Sequence, residues 1–75
     1  MERINQLELK KLVSTAVKMS VFVTKQDGFY RIALETEGQG FVVKSQRDDV
    51  RLFKTVSGAQ KMLDSVGISS FTVLG

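Results

Sequence analysis

Cysteine, histidine, proline and tryptophan are all missing from this 75-residue chain. Without cysteine there is no disulfide framework and no thiolate nucleophile, although that absence does not fix a compartment. With histidine missing as well, the usual zinc donor sets are excluded, and so is the commonest general base near neutral pH. No apolar run approaches the ~20 residues that span a bilayer. The first residues lack the hydrophobic block of a signal peptide, so the expectation is a cytoplasmic protein with no membrane partner.

Serine and lysine are present, but no motif sets one beside the other in a strained turn. Asp48 and Asp49 are adjacent in a polar turn. They lack the alternating oxygen ligands and distal glutamate of an EF-hand loop, and Asp enters turns freely for its own backbone chemistry. A non-enzymatic protein without metal or cofactor is the expectation.

What is there is ordinary globular material, 43% hydrophobic and 25% charged. It makes one small domain over residues 1–75. A chain this short buries only about 60% of the surface its unfolded form exposes, so a partner subunit would help it. The net charge of +3 is a modest bias towards a polyanionic partner.

The stretch from Arg51 to Val73 organises the chain. Val56, Ala59, Met62, Leu63 and Val66 recur at helical spacing, with Ser57, Gln60, Lys61, Asp64 and Ser65 on the other face. The spacing predicts a helix over 55–66, with Thr55 as N-cap and Gly67 as the left-handed residue that ends it. Ile68 then returns an apolar side chain towards Met62 or Leu63. A short strand over 70–74 follows.

Upstream, Met1 to Val17 reads as an amphipathic helix with Leu9, Leu12, Val13 and Ala16 on one face, extended imperfectly by Ile4 and Leu7. Asn5 is a cap for it, with Glu8 three residues on. A single stripe of this kind packs on its own domain rather than serving as a dimerisation arm. A β-meander over 19–54 comes next. Met19 to Lys25 is its first strand, and Asp27-Gly28 is a type I′ hairpin turn that sets Val23 against Ile32 and Val21 against Leu34. A second turn at Gly38-Gln39 would set Val43 against Leu34 and Lys44 against Ala33. Val50 to Lys54 is a fourth strand in outline. A two-residue loop at Asp48-Asp49 would turn Leu52 to the core and Phe53 outward, and one residue more would reverse them.

The fold class expected is therefore two-layer α+β: an antiparallel meander of three or four strands packed by an N-terminal and a C-terminal helix, in the order α-β-β-β-(β)-α-β. The sheet's uncovered face would carry Phe22, Thr24, Arg31, Ala33, Val42 and Lys44. An aromatic ring beside Arg and Lys is what a single-stranded nucleic acid uses, bases stacking and cations following phosphates. Lys44, Arg47, Arg51, Lys54 and Lys61 form a second basic set. Thr55, Ser57 and Gly58 surround a helix start whose amides and dipole favour a phosphate.

The segment RLFKTVSGAQKMLDSVGISSFTV, with LETEGQG upstream, resembles small proteins of plasmids and integrative elements described as partition-associated. That resemblance implies a bacterial or mobile-element accessory protein acting around DNA, and carries no functional residue with it. The leading expectation is sequence-independent binding of single- or double-stranded nucleic acid through Phe22, Arg31, Lys44, Arg47, Arg51 and Lys54, with a phosphate at Thr55, Ser57 and Gly58. The alternative is a homodimeric protein–protein interaction module. Lys is depleted at the centre of dry interfaces, so Arg31 and Lys44 beside Phe22 favour the first.

Overall fold

A computed structural model describes residues 1–15, 18–47 and 49–75. Five strands and two helices follow in the order β1 (Glu2–Ile4), α1 (Gln6–Thr15), β2 (Ser20–Gln26), β3 (Phe29–Thr36), β4 (Gln39–Val43), α2 (Val56–Ser65) and β5 (Thr72–Leu74). The strands form one sheet in the order β1-β4-β3-β2-β5. The expected α+β class holds. The sheet is mixed, however, because both outer strands lie parallel to their neighbours, β1 to β4 and β5 to β2.

The first hairpin has the expected register, Val21 opposite Leu34 and Val23 opposite Ile32. Asp27 and Gly28 both take positive φ, 53° and 83°, as a type I′ turn requires. The second turn is Glu37-Gly38, not Gly38-Gln39. There Glu37 accepts φ 51° and Gly38 takes the second left-handed position at 78°. The register therefore moves by two, and Phe41 opposes Leu34 while Val42 opposes Ala33. A shift of two leaves every side chain on its expected face and changes only its partner.

The N-terminal helix is shorter than expected, and Glu2–Ile4 is a strand on the edge of β4. Three residues are too few for periodicity to separate helix from strand. Ile4 is buried from that strand rather than from a helix, and Leu7 is exposed. The start is set by a reciprocal capping box: Glu8 N–H donates to Asn5 Oδ1 (2.8 Å) and Asn5 N–H to Glu8 Oε1 (3.0 Å). The expected last turn to Val17, and Ala16 on its apolar face, lie outside the described residues.

Helix α2 agrees with its sequence pattern closely. Thr55 Oγ1 accepts from Gly58 N–H at 3.0 Å. At the other end Gly67 N–H reaches Asp64 O and Ile68 N–H reaches Leu63 O, the paired bonds of a Schellman ending, with Gly67 at φ 90°. Leu63 and Ile68 are both buried, which adds that motif's apolar contact.

Val50 to Lys54 forms no strand. Past Ala33 and Val42, β3 and β4 stop pairing with each other. The returning chain fills the wedge: Val50 pairs with Lys44, and Phe53 with Tyr30 through two backbone bonds of 2.8 Å. Phe53 consequently packs on the core side, and Leu52 is left exposed.

Both helices cover the same face, and the topology explains why. The β1-α1-β2 and β4-α2-β5 connections each join parallel strands three places apart and move the same way across the sheet. Crossovers of one hand that travel in one direction deposit their helices on one side. Leu9 from α1 and Ala59, Met62 and Leu63 from α2 meet Val23, Ile32, Leu34 and Val43 there in one core. The opposite face has no second layer among the described residues. No described helix is long and apolar enough to cross a membrane.

Candidate nucleic-acid interface

The alternation of the strands and their register place Phe22, Ala33 and Val42 in one row across the uncovered face, with Arg3 and Thr72 at its ends. Ala33 and Val42 are only 9% and 5% exposed although no helix covers them. Arg31 sits one row further on, its Nε–H donating to Thr24 Oγ1 at 3.3 Å. Phe22 and Arg31 are thus diagonal neighbours on the β2–β3 hairpin. Lys44 does not join them, because residues 50–53 come between β3 and the end of β4.

Lys44 belongs instead to a groove of about 720 Å³ that it lines together with Arg47, Arg51, Asn5, Gln6 and Ser45. The turn that shapes it is held by Ser45, whose amide donates to Asp49 O (2.6 Å) and whose hydroxyl accepts from Arg47 N–H (3.2 Å). Asp48, the other acid of that turn in sequence, lies outside the described residues. Arg51 is fixed on two sides, with its Nη1–H donating to Gln6 Oε1 at 3.2 Å and its guanidinium 5.1 Å from the centre of the Phe53 ring. Gln6 in turn donates Nε2–H to Ser65 Oγ (3.1 Å), tying the start of α1 to the end of α2.

Lys54 is exposed and follows Phe53 outside this groove. At the start of α2, Thr55 already holds the Gly58 amide, so an anion there would compete with the cap for that donor. A Cβ at Gly58 would come 3.7 Å from the Phe53 ring, which places that ring against the helix start. Ser57 is exposed beside it.

Two residues outside the expected set complete the arrangement. Lys25 lies opposite Tyr30, its Nζ 6.0 Å from the ring centre. Because Tyr30 pairs with Phe53, a stripe runs Lys25–Tyr30–Phe53–Arg51 across β2, β3 and the returning chain, two adjacent rings each with a cation. The Asp27-Gly28 turn already implies the Lys25–Tyr30 pair. The position of Phe53 depends on how many residues the loop after Lys44 contains in space, which spacing along the chain does not reveal.

The charges divide along the strand axis. The end that holds the first hairpin turn, the groove and both helix starts carries, among the described residues, Lys25, Arg31, Lys44, Arg47, Arg51 and Lys54 against Glu8, Asp27 and Asp49. The end that holds the second turn carries Glu2, Glu35 and Glu37 against Lys18. Summed fields of this kind concentrate anions at one end. Comparison with known protein families and with curated proteins gives no significant match.

Proposed function

We propose that this protein is a non-enzymatic accessory that binds nucleic acid through its phosphate backbone, largely without reading sequence. The observation that carries this reading is a groove lined by Lys44, Arg47 and Arg51, at the end of the sheet where basic residues outnumber acidic ones. Cations that follow phosphates are the chemistry of a sequence-tolerant site. The resemblance to partition-associated proteins of plasmids and integrative elements points the same way, to a bacterial cytoplasm and a role around DNA. Phe22 and Arg31 on the uncovered face form a second, separate place for a strand to lie.

Fluorescence anisotropy with single-stranded and duplex oligonucleotides at about 50 and 200 mM salt tests this, since phosphate contacts release counterions and lose affinity steeply over that range. Arg47→Ala with Arg51→Ala is expected to weaken binding and to lower the salt slope by about two. Phe22→Ala would weaken single-strand binding and leave the slope intact only if the uncovered face is used. Absence of binding to both oligonucleotides at the lower salt rejects the reading.

A further inference from the structure

The two edges of the sheet are treated differently. β1 presents Glu2 and Arg3, one on each face, and Glu2 accepts from Gln39 Nε2–H at 3.1 Å. β5 presents Thr72, Val73 and Leu74, with Val73 51% and Leu74 45% exposed on opposite faces. Natural sheets blunt an edge with charge, proline or a bulge, because unpaired amides and carbonyls template another strand. Charge guards β1, whereas Thr72, Val73 and Leu74 carry none.

We infer that β5 is a self-association edge, taking the β5 of a second copy as an antiparallel neighbour. Pairing β5 with β1 of another molecule would be head-to-tail and would build a ring or an open filament rather than a dimer. It would also set uncharged, apolar residues against Glu2 and Arg3. Pairing β5 with itself closes as a two-fold dimer. A two-fold sets each residue against its own kind or its mirror in the register, so a charged edge repels itself and an uncharged one does not. Centred on Val73, the pair sets Val73 against Val73 and Thr72 against Leu74. It joins two five-stranded sheets into one of ten strands, with both helical layers on one side and both uncovered faces on the other. This inference is independent of nucleic acid.

Sedimentation of the full chain, with no nucleic acid present, is expected to show a mass rising from 8.4 kDa towards twice that value through the micromolar range. Amide exchange at Thr72, Val73 and Leu74 should slow over the same range. Val73→Lys should keep the chain monomeric, because an edge lysine opposes strand addition. Val73→Thr, uncharged and equally suited to a strand, should still associate. Circular dichroism at a concentration where the wild type is monomeric should give the same melt for Val73→Lys, since the side chain is exposed. A monomer throughout the range overturns the inference. So does association that Val73→Lys leaves unchanged, or that leaves the β5 amides exchanging as before.

Discussion

The two crossovers of this fold make the same journey by different routes. From β1 the chain passes through a single residue, Asn5, into α1; from β4 it makes a detour over residues 44–55 before α2 begins. Both helices are ten residues long. Yet α2 buries Ala59, Met62 and Leu63, while among its described residues α1 buries Leu9, with Leu12 and Val13 half-buried against the core. The direct route thus attaches a lightly held helix, and the detour supplies the better-held one. The detour also carries Lys44, Arg47, Arg51, Phe53 and Lys54, the larger part of the basic end. Buried contacts and the basic groove residues are thus both concentrated in the second crossover, and the first provides one wall of the groove at Asn5 and Gln6.

The sharpest way to break that comparison is to shorten the same residue in each helix. Leu9 and Leu63 are both fully buried. Truncating a buried leucine costs about 2–5 kcal/mol, most of what a domain this small has. Leu63→Ala is expected to lower the melting temperature and to expose the whole sheet to amide exchange. Leu9→Ala removes the one fully buried side chain among the described residues of α1, so it should release that helix while β2, β3 and β4 keep much of their protection. Equal loss of sheet protection in the two variants would mean that the crossovers are equally integral.

Gly67 comes next in size. A Cβ there would stand 3.8 Å from Val13 Cγ1, an ordinary contact, so space is not the obstacle. The obstacle is φ 90°, which costs an L side chain roughly 1–2 kcal/mol. Gly67→Ala should destabilise by about that amount in a urea melt. The caps follow, at about 1 kcal/mol for Thr55→Ala and a similar loss for Asn5→Ala. If α1 is the lightly held helix, the Asn5→Ala loss should appear as fraying of α1 in amide exchange before any global transition.

The helix of the second crossover is the more legible from sequence, although the detour that leads to it is not. That helix has a five-residue apolar stripe between a threonine cap and a glycine stop, and local chemistry of that kind survives any tertiary arrangement. The first hairpin was legible for the same reason, since Asp27-Gly28 can close only one tight register. Glu37-Gly38 is not separable in sequence from Gly38-Gln39, because both dipeptides suit a turn and alternation cannot distinguish registers that differ by two. β1 is not legible in sequence, because its three residues acquire meaning only from the edge of β4 they pair with. The stripe Lys25–Tyr30–Phe53–Arg51 was half visible. Its hairpin half follows from a turn, and its other half depends on a loop whose path is set by the wedge between β3 and β4.

The smallest expected effect concerns the residue that joins the two routes. Gln6 accepts from Arg51 Nη1–H and donates to Ser65 Oγ, and both bonds lie at exposed positions. Water can replace each, so Gln6→Ala should change stability by no more than about 0.5 kcal/mol. Its effect on Arg51 is different in kind. The guanidinium keeps its place over Phe53 but loses the acceptor that fixes its direction. If the groove binds phosphates, the number of cations is unaltered, so the salt slope of nucleic-acid binding should stay as it was while affinity falls a few-fold. Arg51→Ala should instead flatten the slope by about one. Measured side by side by anisotropy at several salt concentrations, the two variants separate the charge of Arg51 from its orientation. An unchanged affinity in Gln6→Ala would leave α1 with no part in the groove beyond lining it.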